Sequence, residues 1–193
     1  YQGYAKTDTY MKKKDSKLKR SLGRAKRILS EKPPGRKFLD IGCSVGFMTE
    51  AARRAGCEAY GIDIDDQAVG IAKETFKDCK FETIDIADLA KRGDKFDMVY
   101  MSEVIEHVPD PDGFMAAVAA VMNKDAVLYL TAPDGAHFGV PRDFASWGMV
   151  CPPQHLTYFS RKGLKTMLAR HGLTVKKFQF AFKPGMKAFA RKD

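Results

Sequence analysis

The sequence predicts an α/β fold: a seven-stranded, mostly parallel sheet with helices on both faces and an antiparallel final strand. Three observations carry this expectation. From residue 37 to 171, short apolar runs alternate with stretches of helical periodicity, the pattern of parallel strands joined by crossover helices. Residues 173–191 break that rhythm with two strand-like runs around "KPG" and no room for a helix. Those two runs must pair antiparallel through the Pro-Gly turn. A chain of 193 residues is also long enough for one such domain with a sizeable core.

Taken in order, residues 10–31 suit a helix, because Leu18, Leu22, Ala25 and Leu29 recur at spacings of three and four. "EKPPGRK" ends it, since consecutive prolines cannot continue a helix. Strands are expected at 37–41, 58–62, 80–84, 96–101, 126–132, 173–181 and 186–191. Helices are expected near 46–55, 66–77, 112–122 and 161–171. The organisation this predicts is a basic helical cap over residues 1–32 and a ligand-binding domain over 33–193. Within the latter, "PDGAHFGVPRDFASWGMVCPPQHLTYF" (133–159) is long for a connector. Loops of this length are usually functional, and it follows a strand, where open α/β sheets bind ligands. It is the expected substrate loop.

No apolar run approaches eighteen residues, so no helical membrane span is expected. The lysine-rich start lacks the apolar core of a secretory signal. Cys43, Cys57, Cys79 and Cys151 are irregularly spaced with no C-x-x-C pair, which fits free thiols in a cytoplasmic protein. The net charge of +9 is segregated. Residues 1–32 hold eleven Lys/Arg against three Asp/Glu, residues 33–160 twelve against twenty, and residues 161–193 ten against one. An acidic middle with basic ends is compatible with a cationic ligand near the middle and an anionic partner near the ends. A solvated basic helix and a basic sheet edge are the competing explanation.

The ligand is best read at "FLDIGCSVGFMTE" (38–50), an apolar strand, a glycine turn and a helix start. A phosphate loop requires lysine after its last glycine, and none follows Gly46. A dinucleotide fingerprint requires a further glycine where Phe47 stands. Asp40, two residues before Gly42, would repel a pyrophosphate and attract a positive group. The choice is a nucleoside with a cationic tail. Asp63, about twenty residues on, is placed to accept from both ribose hydroxyls. Asp85 follows the third strand and suits an adenine amino group, with Ile62, Ile64 or Ile86 against the ring.

With these residues in view, "LDIGCSVG", "YGIDID", "TIDIADL" and "FDMVYMSEVIEHVPDP" resemble, in order, four motifs of class I S-adenosylmethionine-dependent methyltransferases. The similarity runs from about residue 36 to the end. "EVIEHVPDP" and "PPQHLTYFS" are similar to the branch that includes ubiquinone-pathway O-methyltransferases and sugar methyltransferases. The resemblance implies a Rossmann-like sheet, S-adenosylmethionine as cofactor and S-adenosylhomocysteine as product. It places Asp40 and the backbone of Gly42, Cys43 and Gly46 on the methionine portion. Asp63 would take the ribose, Asp85 and Ile86 the adenine, and Met101 and Ser102 would pass near the sulfur. Ser44 stands where the family often has glycine. If φ is positive there, serine costs on the order of 1 kcal/mol.

Methyl transfer requires mainly alignment of nucleophile, methyl carbon and sulfur, with a base when the acceptor is protonated. His107, after the fourth strand, is the expected base; support of the adjoining loop is its alternative role. Glu103, Glu106 and His107, at i, i+3 and i+4, would share one face of a short helix and form an alternative divalent-cation site. The same E-x-x-E-H pattern is similar to one that some ubiquinone-pathway O-methyltransferases use for magnesium, and His155 could add a ligand. Trp147, Tyr158, Phe138 and Phe144 are expected to wall the substrate, with His137, Arg142 and His155 as polar contacts. The expected function is methyl transfer to a small-molecule acceptor, most readily at oxygen, with an anionic acceptor compatible with the basic ends. An RNA methyltransferase and a non-catalytic S-adenosylmethionine-binding protein are the alternatives. Nucleic acid is disfavoured as a partner, since the fourth strand ends in "MSEV" and no RNA-binding module is recognisable.

Overall fold

The computed structural model describes residues 14–193. Seven strands form one sheet: β1 (Lys37–Ile41), β2 (Glu58–Asp63), β3 (Lys80–Thr83), β4 (Phe96–Ser102), β5 (Met122–Ala132), β6 (Leu173–Phe178) and β7 (Met186–Lys192). Their spatial order is β3-β2-β1-β4-β5-β7-β6. Strands β1 to β5 pair in parallel, and β7 runs antiparallel to both β5 and β6. The expected architecture is therefore the observed one.

The helices are α1 (Lys14–Leu29), α2 (Phe47–Arg54), α3 (Asp66–Thr75), α4 (Ile86–Lys91), α5 (Pro111–Ala120) and α6 (Arg161–Arg170). The first residues of the expected helix at 10–31 lie outside the described residues. Side chains alternate across each strand, so the sheet feeds two cores. Leu39, Val99, Met101, Leu128 and Leu130 enter one, and Phe38, Met98, Tyr100, Val127 and Tyr129 enter the other. The second core includes Leu18, Ala25 and Ile28 of α1, so the basic helix is fastened by its apolar stripe.

Four differences from the expected elements have local causes. Strand β5 begins at Met122, because the polar stretch Asn123-Lys124-Asp125 is a bulge: register shifts between Phe96 and Met98, and Asp125 has φ 60°. Strand β6 stops at Phe178, although the apolar alternation continues through Phe180 and Phe182, which are exposed. Helix α4 is additional to the expected elements; Asp85 caps it by accepting from the Ala87 N–H at 2.7 Å. The helical turn expected at 103–107 is instead a left-handed Glu103 (φ 55°) followed by one 3₁₀ turn at Ile105–His107.

Parallel pairing sets the C-terminal ends of β1 through β5 along one edge. Strand β6 shares the sense of β5, so the β6–β7 hairpin tip emerges at that edge too.

Candidate active site

A cleft of about 820 Å³ opens at this edge, lined by Asp40, Asp63 and Asp85 and overhung by Lys17, Arg20 and Arg24 of α1. Its floor is the turn between β1 and α2. Gly42 (φ 71°), Ser44 (φ 48°) and Gly46 (φ 83°) are all left-handed. A Cβ at Gly42 would lie 2.6 Å from Val104 Cγ2, and one at Gly46 2.6 Å from the Phe81 ring. Ser44 thus carries the conformational cost its sequence position implied. Its N–H donates to Asp63 Oδ2 at 2.8 Å, which offsets part of that cost. The N–H groups of Gly42 and Cys43 both reach the Ile62 carbonyl at 2.9 Å, and that of Gly46 reaches the Cys43 carbonyl at 2.9 Å. The amides of Gly42, Cys43, Ser44 and Gly46 are thus spent within the protein and do not form an anion nest.

Asp40 lies at the turn's base, 1% exposed. Burial pushes its carboxyl up from 3.8 to about 7; a Thr49 hydroxyl donating at 2.7 Å lowers it, and the Asp63 charge raises it. Asp63 Oδ1 accepts from the Asp65 N–H at 3.1 Å, which with the Ser44 contact locks the carboxylate in place. Asp85 is exposed at the start of α4, Ile86 is 3% exposed in the core, and Ile64 is 67% exposed at the rim.

The cleft brings together Asp40, Gly42, Cys43, Asp63, Ile64, Asp85, Ile86, Ser102, His107 and His155. Gly46 shapes the turn beneath it. Met101 is buried in the core and does not reach the cleft. Register explains this: Met101 pairs with Ile41, whereas Tyr100 pairs with Asp40 and shares its face. Tyr100 lines the cleft and accepts from Arg24 Nη1 at 3.0 Å; the period of two along β4 was the signal for it. Trp147 and Tyr158 are also outside the lining. They pack with Phe144 at 5.6 and 5.2 Å between ring centroids and hold the long loop together.

One further cluster closes the cleft. His107 Nδ1 contacts the Gln154 carbonyl at 2.7 Å, and His155 Nδ1 the Met149 carbonyl at 2.8 Å. A carbonyl only accepts, so both neutral rings carry the proton on Nδ1 and their acceptor nitrogen is Nε2. Glu106 is fully buried, and neither carboxylate oxygen has a hydrogen-bond partner. Burial, with Glu103 nearby, pushes its carboxyl up to about 8. Ligand atoms of Glu106, His107 and His155 lie within 4.8 Å of one another. Glu103 stands outside this trio, accepting from Thr131 Oγ1 at 2.8 Å.

This is the fold and cradle of a nucleoside-cofactor transferase. Over residues 12–177 the chain matches the family described as methyltransferase domain. It is 30% identical over 158 residues to the ubiquinone biosynthesis O-methyltransferase of Methylococcus capsulatus, covering 72% of this chain and 67% of that one. It is 32% identical over 152 residues to the enzyme of that name from Thiobacillus denitrificans, covering 68% and 66%. The aligned stretch thus spans about two thirds of these relatives. The fold superposes on magnesium protoporphyrin IX methyltransferase from Synechocystis PCC 6803 with bound S-adenosylhomocysteine, with a TM-score of 0.71 at 19% identity, covering 91% of this chain and 83% of that one. The chain belongs to the methyltransferase-domain family, and its cofactor is S-adenosylmethionine. The residues present fit that cofactor: the turn offers acceptors where a cationic amino-acid tail brings donors, and the volume suits a nucleoside. Among the described residues, no helix is long and apolar enough to cross a membrane.

Proposed function

We propose that the chain methylates a hydroxyl oxygen of a small-molecule acceptor, with His107 as the base. The observation that carries this reading is the fixed tautomer of His107 in the cleft lining. Asp40 and the Gly42–Gly46 turn hold the amino-acid portion of the cofactor, Asp63 the ribose, and Asp85 with Ile64 and Ile86 the adenine side. Ser102 borders the reacting end. The cofactor supplies a methyl group already activated on a sulfonium.

His107 Nε2 takes the acceptor's proton as its oxygen attacks, and the Gln154 carbonyl stabilises the imidazolium through Nδ1–H. Lys17, Arg20 and Arg24 favour an anionic group, on the acceptor or on the cofactor carboxylate. In this reading α1 caps the cofactor domain of residues 33–193, the 133–159 loop covers the acceptor, and His155 contacts it. The free thiols support a cytoplasmic location.

The test is transfer of labelled methyl from S-adenosylmethionine to a panel of small hydroxylated compounds. His107→Ala should lower kcat roughly a hundred- to ten-thousand-fold, with S-adenosylhomocysteine binding intact. Asp63→Ala should abolish that binding in calorimetry. No transfer to any acceptor by the intact protein would withdraw the reading.

The unpartnered Glu106 carboxylate favours a second reading, a divalent cation held by Glu106, His107 and His155 that orients acceptor oxygens. Activity that chelation removes and magnesium restores would select it over proton transfer.

A further inference from the structure

The β6–β7 hairpin carries an apolar surface that methyl transfer leaves unused. Phe180 and Phe182 are 68% and 83% exposed and meet edge to face, with ring centroids at 4.8 Å. Phe138 of the long loop, 79% exposed, joins the same rim. Its neighbour His137 is buried and staples loop to hairpin: Nε2–H donates to the Ala181 carbonyl at 3.0 Å while Nδ1 accepts from the Gly139 N–H at 3.0 Å. The three phenylalanines are therefore presented by an ordered device.

Cations surround them. Lys183 follows Phe182 and is exposed, as is Arg142 on the loop, and Arg27 of α1 donates to Gln179 Oε1 at 3.3 Å beside Phe180. Asp143, next to Arg142, turns its carboxylate to the Ala145 N–H at 3.2 Å. The sole acid of residues 161–193 is Asp193. Its carboxylate accepts from the Thr174 hydroxyl at the far end of the hairpin. Apolar tips ringed by cations, with no acid among residues 161–192, are complementary to an anionic bilayer surface. They repel the same basic rim on a second copy of this chain. Stacking on nucleic acid bases is disfavoured, because Phe180 and Phe182 stand at 85° and cover one another instead of offering parallel faces.

We infer that this rim docks on an anionic lipid bilayer, with Phe138, Phe180 and Phe182 at the headgroup–acyl boundary and Lys183, Arg142 and Arg27 on the headgroups. The hairpin tip lies at the same sheet edge as the cleft, so docking sets the cleft mouth beside the membrane. This inference stands on the surface alone and does not depend on the acceptor.

The test is co-sedimentation of the full chain with vesicles of phosphatidylcholine, or of phosphatidylcholine and phosphatidylglycerol in equal parts. The intact protein should partition onto the anionic vesicles. Phe180→Ser with Phe182→Ser should lower that partitioning roughly tenfold or more, while circular dichroism and S-adenosylhomocysteine binding stay unchanged. Lys183→Glu should weaken it as well. Equal partitioning by the double phenylalanine variant would overturn the inference, leaving only adsorption of a basic protein. So would absence of vesicle binding, whether or not the same phenylalanines bind a single-stranded oligonucleotide or mediate dimerisation.

Discussion

Asp40 is the residue on which the cleft's chemistry turns. Reading it as a fixed negative charge is too simple, since burial raises its carboxyl to about 7. Between 3.8 and 7 the folded protein keeps a proton that the unfolded chain has released, so stability contributed here falls as pH rises through that window. Binding of a cationic amino group has the opposite slope, because the ligand prefers the carboxylate. Affinity for S-adenosylhomocysteine should weaken toward tenfold per pH unit below about 7 and level off above it. Asp40→Asn should bind weakly and lose the slope; calorimetry at several pH values checks both. Asp40, Asp63 and Asp85 are legible as positions because an acid at the end of an apolar run stands out in sequence, whereas the burial that raises Asp40 does not. Met101 is not, because its neighbour Tyr100, one residue along β4, takes the cleft face.

Among elements, the turn from β1 to α2 is the most constrained. Gly46 needs a left-handed backbone and stands against the Phe81 ring, and a Cβ there would also lie 3.1 Å from the Ala72 methyl. Gly46→Ala should cost roughly 1–3 kcal/mol, read from the denaturation midpoint, and should weaken cofactor binding together with stability. The strands and longer helices are legible because apolar period and chain punctuation agree there. Helix α4 is not: its six residues are too few for a periodic signal, and Asp85 reads equally as ligand group or cap. Strand β6 is shorter than its sequence suggests because the exposed Phe180 and Phe182 continue the alternation of a half-buried strand. Period reports which side chains are apolar, not which are covered. The approach of His155 to His107 is suggested by residue type alone, and its geometry is not legible for another reason. It depends on how a long loop folds back, bringing the Gln154 carbonyl to His107 across a sequence separation of 47.

Over the whole molecule, charge is segregated by sequence and reassembled in space. The basic first helix and the basic final hairpin meet: Lys177 pairs with Glu31 at 2.5 Å, and Arg191 reaches the carbonyls of Glu31 and Lys32. Helix α1 lines the cleft and is a core element in energetics, with Ile28 fully buried. Ile28→Ala should destabilise the protein by about 2–5 kcal/mol in urea unfolding. A loosely docked lid would show almost no loss.

The spent donors of the glycine turn bear on which molecules the cleft refuses. ATP shares adenosine with the cofactor, and an affinity for that half alone would admit both. Here the phosphate chain would enter a floor whose Gly42, Cys43, Ser44 and Gly46 amides already point at protein oxygens, beside the carboxylate of Asp63. Discrimination against the commoner nucleotide is therefore expected from these spent amides and Asp63, working against the pull of Lys17, Arg20 and Arg24, and excess ATP should leave bound S-adenosylhomocysteine undisplaced.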